Sequence, residues 1–114
     1  MSTIFSKIIA REIPSDIVYE NDYVLAFRDI SPQAPVHILV IPKVEIQSVN
    51  EIDGNAHAEL LGKMFQAAKE IAQKEGLSKE GYRLVINNGP NAGQAVPHLH
   101  IHLLGGRKFN WPPG

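Results

Sequence analysis

The chain has 114 residues, 11 basic side chains against 12 acidic ones, and a formal net charge of −1. That length suits one domain, residues 1–114, burying roughly 65% of its extended-chain surface on folding. So small a charge gives no clustered positive field for bulk nucleic acid or an anionic membrane. The lack of cysteine excludes disulfides, zinc–thiolate sites and thiol catalysis.

The first residues contain no apolar run of the signal-peptide kind. The longest such run, Ile38 to Ile41, is far short of the roughly 20 residues of a membrane helix. The expectation is a cytoplasmic protein. In chain order, Ser2 or Thr3 can cap a short helix whose stripe is Ile4, Phe5, Ile8 and Ile9, with Pro14 as its stop. Asp16–Tyr19 and Tyr23–Arg28 are rich in β-branched and aromatic residues and are separated by Glu20-Asn21-Asp22, which predicts a hairpin.

Asp29 to Pro35 reads as a connection, since its two prolines cannot donate to a ladder. A third strand runs from Val36 to Ile41 and stops at Pro42. A long helix is expected over about residues 54–75. Leu60, Leu61, Met64, Phe65, Ala68, Ile71 and Ala72 follow its 3.6 period as core or dimer packing, and Gly76 ends it. Tyr82–Asn87 and His98–Leu104 complete five strands and two helices. With strands grouped early and late, the pattern predicts an α+β fold with a mostly antiparallel sheet.

The chemistry concentrates in the last strand. His98, His100 and His102 alternate, so a strand would put all three imidazoles on one face and Leu99, Ile101 and Leu103 on the other. His37, on another strand, could join them. Four gathered imidazoles are costly as packing alone, because each brings two polar nitrogens and any that charge repel one another. The preceding segment, Asn87 to Ala95, has two glycines, three asparagines and a glutamine. Such a loop can turn N–H groups toward an anion. Together these features suit a phosphate site, although no Walker loop or dinucleotide fingerprint is present. Neutral imidazole can attack phosphorus if a carbonyl holds its Nδ1–H and frees Nε2, while flanking imidazoles donate to phosphoryl oxygens. His100, with a neighbour on each side, is the geometric choice for nucleophile.

His98-Leu99-His100-Ile101-His102-Leu103-Leu104 resembles the signature of the histidine triad (HIT) superfamily. Phe27 through His37, Gly93-Gln94-Ala95-Val96, Gly105-Gly106-Arg107 and the ending Trp111-Pro112-Pro113-Gly114 resemble its nucleotide-binding (Hint) branch. The resemblance spans nearly the whole chain. It implies a HIT-like fold and a homodimeric purine nucleoside phosphoramidase that needs no metal and no other cofactor. Its ligand would be a purine nucleoside phosphoramidate or monophosphate.

By the same resemblance His100 matches the nucleophile that forms a nucleotidyl-histidine, and His98 the residue whose carbonyl orients it. His102 and His37 match residues around the phosphoryl oxygens. Asp29 matches the acceptor of the ribose hydroxyls. Ile30, Phe27, Phe5 and Leu39 match the base pocket, and Asn87, Gly93, Gln94 and Ala95 the phosphate loop. Two departures stand out: Ala95 where many members carry Ser, Thr or Glu, and Pro97 where an aromatic residue is common.

Rival readings are dinucleoside polyphosphate hydrolysis, as in a sister branch, and a non-catalytic nucleotide-binding adaptor. Zinc on the His-x-His row with His37 is a third, disfavoured because no carboxylate or cysteine adjoins the row. His57 reads as a solvated surface residue. The stiff Phe109–Gly114 tail, with its Phe and Trp, suggests docking near a partner subunit's site.

Overall fold

The computed structural model describes residues 2–114; Met1 lies outside them. Helix α1 spans Ile4–Ile9, followed by strands β1 (Ile17–Glu20), β2 (Val24–Arg28) and β3 (Val36–Pro42). Helix α2 (Ala58–Lys74) precedes strands β4 (Tyr82–Val85) and β5 (Ile101–Gly105). The five strands form one antiparallel sheet in the order β1-β2-β3-β5-β4. The α+β class expected from the grouping of strands is therefore the observed one. Among the described residues, no helix is long and apolar enough to cross a membrane.

The sheet is apolar on both sides, and the two-residue period divides each strand between two cores. Val24, Ala26, Ile38, Val40, Ile101 and Leu103 pack with Leu60, Met64, Ala67, Ala68, Ile71 and Ala72 of α2. On the other face Leu25, Phe27, Leu39 and Ile41 pack against Phe5 and Ile8 of α1. Full burial of a large aliphatic side chain contributes about 1.5–3 kcal/mol, so the 17-residue α2 seals its face well. The six-residue α1 covers its face only in part. Arg28 also ties β2 to the end of α2, through paired 3.0 Å bonds to both oxygens of Glu75.

Several boundaries differ from the expected ones. Helix α1 ends at Ile9 rather than at Pro14, because Arg11 takes a positive φ of 62°; Thr3 and Ser6 form its capping box. Helix α2 starts at Ala58 because Asp53 Oδ1 accepts from the N–H groups of Asn55 and Ala56 and bends the chain into a turn first. His57 is half-buried rather than fully solvated, its Nδ1 accepting from the Asp53 N–H. Phe65 is 48% exposed and lies outside the α2 core stripe. Strand β4 stops at Val85 instead of Asn87.

The largest difference is in β5, which begins at Ile101 and so leaves His98 and His100 in the segment that leads into it. Pro97 offers no N–H, and the Leu99 N–H donates to the Ile46 carbonyl rather than into a ladder. The side-chain alternation nonetheless holds: Leu99, Ile101 and Leu103 enter the α2-side core, while His98 and His100 both make edge-on contacts with Phe5 of α1.

Candidate active site

A cleft of about 300 Å³ opens beside α1 on the incompletely covered face. Phe5, Phe27, Leu39, Ala95 and Val96 wall it, and His100 and His102 line it. Asp29 and Ile30 also border it; Ile30 is 98% exposed, so its side chain stands at the mouth rather than forming an inner wall. The cleft thus pairs an apolar pocket with two imidazoles.

The hydrogen bonds around the imidazoles determine where each proton sits. The Gln33 backbone N–H donates to His37 Nδ1 at 3.1 Å, which leaves the His37 proton on Nε2. Nε2–H in turn donates to His102 Nδ1 at 2.9 Å. Neutral His102 therefore carries its proton on Nε2. His100 is set the opposite way: its Nδ1–H donates to the His98 carbonyl at 2.6 Å, so its Nε2 holds a lone pair. The His98 ring is buried and donates from Nε2 to the Pro42 carbonyl at the end of β3. The result is one nucleophilic nitrogen beside one donor, with ring centroids 4.9 Å apart.

Burial keeps the four rings neutral. Desolvation pushes His37, His98 and His100 below the usual imidazole value, against the opposing pull of Asp29 on His37, of the Pro42 carbonyl on His98 and of the His98 carbonyl on His100. His102 goes furthest, down to about 4, through burial first and then its neighbours His100 and His37. Neutral imidazole is the form that can attack an electrophile without losing a proton.

Other predicted residues fall outside the walls. Gly93 adopts φ +80° to end the 3₁₀ turn Pro90–Ala92. The Gln94 side chain laces its loop together: Oε1 accepts from the Gly89 N–H, and Nε2 donates to the Gln47 and Val96 carbonyls. Neither they nor Asn87 are among the residues that line the cleft. Conversely, Ile4, Ile8, Ile13, Pro14 and Ser15 line it without having been singled out as site residues. The apolar stripe of α1 was the available signal, and it reads the same whether it faces a core or a ligand. The Gln33 N–H and the Pro42 carbonyl leave no trace in the sequence, because every residue but proline has the first group and every residue has the second.

The family model described as the HIT domain matches residues 10–109. The chain belongs to the HIT domain family. A protein named purine nucleoside phosphoramidase from Escherichia coli strain K12 is 58% identical over 105 residues, covering 92% of this chain and 87% of that one. A 14 kDa zinc-binding protein from Brassica juncea is 56% identical over 113 residues, covering 98% and 99% of the two chains. The crystal structure of a HIT family hydrolase from Legionella pneumophila matches with a TM-score of 0.96 at 50% identity, covering 99% of this chain and all of that one. These relatives support hydrolase activity for this HIT protein.

The name of the Brassica relative raises the question of zinc. Asp29, His37 and His102 place one ligand atom each within 4.8 Å of one another. As arranged, however, the trio does not fit that ion. Two nitrogens on a tetrahedral zinc stand about 3.3 Å apart, given Zn–N bonds of about 2.0–2.1 Å, whereas His37 Nε2 and His102 Nδ1 are 2.9 Å apart and share a proton. Asp29 Oδ2 lies 3.6 Å from His37 Nε2, a carboxylate that the sequence row did not reveal as a neighbour.

Proposed function

We propose that this HIT protein hydrolyses the P–N bond of purine nucleoside 5′-phosphoramidates in the cytoplasm, through a nucleotidyl-histidine on His100. The observation that carries the reading is the 2.6 Å bond from His100 Nδ1–H to the His98 carbonyl, which aims a lone pair from a ring that lines the cleft. His100 Nε2 attacks phosphorus, the P–N bond breaks, and the departing nitrogen takes a proton from solvent water and leaves as the amine. Water then attacks the phosphorus, which releases the nucleoside monophosphate and restores the imidazole. The Nε2–H of His102 is suited to donate to a phosphoryl oxygen as charge builds there. The apolar walls Phe5, Phe27 and Leu39 suit a flat base, and Asp29 at the border suits ribose hydroxyls.

We also propose a symmetric homodimer. Strand β4 is the last strand of the sheet, so a second copy could extend it; sedimentation would read the state. The test of the reaction is trapping: brief incubation with adenosine 5′-phosphoramidate, acid-free quenching and mass spectrometry of peptides. An adenylyl group on His100 is expected. An adduct on another residue, or turnover with no adduct and an active His100→Ala variant, would overturn the reading. Faster cleavage of diadenosine polyphosphate than of the phosphoramidate would move the substrate to the sister class.

A further inference from the structure

Arg107 lies outside the cleft, on the turn after β5, yet its hydrogen bonds lead to the histidines. Its Nη2 donates to the Gln33 carbonyl at 3.1 Å. The N–H of the same Gln33 donates to His37 Nδ1, and His37 donates to His102. We propose that Arg107 is a positioning residue: it holds Gln33 so that its N–H fixes the tautomer of His37 and, through it, the donor state of His102.

Three observations support a fixed geometry. First, Arg107 is exposed but not loose, since its guanidinium lies 4.3 Å from the centroid of the Phe109 ring and also donates to the Lys108 carbonyl. Second, the other side-chain bonds of the loop it grips are local: Gln33 Nε2 donates to the Ser31 carbonyl and the Ser31 N–H to Asp29 Oδ1, while Pro32 and Pro35 lack N–H groups, so Arg107 is the side chain that ties Gln33 to β5. Third, the turn closes tightly on that loop. Gly106 has a φ of +91°, and a Cβ there would come within 2.8 Å of Pro35 Cβ. Glycine lets the two segments meet, and Arg107 then spans the junction.

The consequence for His102 follows from proton counting. With the Gln33 N–H in place, His37 Nδ1 must accept, so Nε2–H must donate and His102 must keep its proton on Nε2. If Gln33 drifts, His37 is free to carry the proton on Nδ1 and offer Nε2 as an acceptor. His102 would then donate from Nδ1 and turn a bare Nε2 toward the cleft, where a phosphoryl oxygen would meet a lone pair instead of a proton. Asp29, 3.6 Å from His37 Nε2, favours the native tautomer as well, so loss of Arg107 should shift the balance rather than invert it fully.

The catalytic part of this inference rests on the proposed phosphoramidate reaction, but the tautomer does not, so the two are measured separately. Long-range ¹H–¹⁵N spectra of the histidine rings report protonation of each nitrogen without turnover. Arg107→Ala and Arg107→Glu should both move His37 and His102 away from the pure Nε2–H pattern, whereas Arg107→Lys, which can still donate to Gln33, should largely keep it. Arg83→Ala removes the other guanidinium over Phe109 without touching Gln33, and should leave the pattern unchanged. In parallel, Arg107→Ala should lower kcat roughly 3- to 10-fold, with KM within about 2-fold. Wild-type ring patterns in folded Arg107→Ala and Arg107→Glu would overturn the proposal whatever their rates. Shifted patterns in a protein whose wild type does not cleave phosphoramidates would leave the positioning role intact and sink only the reaction assigned to the cleft.

Discussion

The two faces of the sheet are built from the same strands and serve opposite ends. On the α2 side, Ile101 and Leu103 of β5 are almost fully buried among aliphatic groups. On the α1 side, His102, between them in the same strand, meets His37 and a cleft. One face is covered by 17 helical residues and the other by six. The difference is one of coverage: both faces are apolar enough to be sealed, and the short helix leaves space where polar nitrogens can be buried with partners and still reach a ligand.

Substitutions at adjacent positions of one chain segment should separate the faces. His100→Ala should cause the largest change, a loss of at least about 10⁴-fold in phosphoramidate turnover with the fold retained, since it removes the proposed nucleophile; circular dichroism and steady-state kinetics would check both halves. His102→Ala should cost ~10²–10³-fold in kcat, the usual effect of deleting one donor to a developing oxyanion. Leu103→Ala, one residue further, should do the reverse. It should destabilise the protein by about 2–5 kcal/mol in denaturant titration while leaving the rate per folded molecule near wild type. A large rate defect there would show that the faces are coupled more tightly than the packing indicates.

The smallest effect is the pH dependence. Burial lowers the folded-state values of His37, His98 and His100, and takes His102 to about 4, whereas in the unfolded chain they revert to about 6.5. Between those values the unfolded state binds more protons. The stability contributed by neutral burial is thus full above about pH 6.5 and drains as pH falls through the folded values. Denaturation midpoints measured at pH 7.5 and pH 5 should show this loss, and His102→Gln should reduce it. An unchanged pH dependence in that variant would mean that His102 contributes little.

The architecture was legible where a short-range pattern carried it. The alternation of Ile38 and Val40 with Leu39 and Ile41 belongs to a strand buried on both sides, and the spacing of Leu60, Met64, Ala68 and Ile71 belongs to a helix. The start of β5 was not legible, because it depends on a bond from Leu99 to Ile46, a residue 53 positions away. The pairing of His100 and His102 in one cleft could be read from their two-residue spacing. The His98 carbonyl behind His100 was implied by the family resemblance; the relay that leaves the His102 proton on Nε2 was not, since it is set by the backbone N–H of Gln33 through His37. The nearness of Asp29 to His37 likewise depends on how the Asp29–Pro35 connection folds back on β3.

Strand β3 is bonded along both edges, to β2 and to β5, and it carries His37 and Leu39. Its central amides belong to the class that exchanges with solvent only when the whole molecule opens. Helix α1 has no such double anchorage and belongs with the segments that open first. On warming, the pocket should therefore lose its grip on the proposed nucleotide substrate before the imidazole array loses its geometry, so that KM rises at temperatures where kcat is still intact.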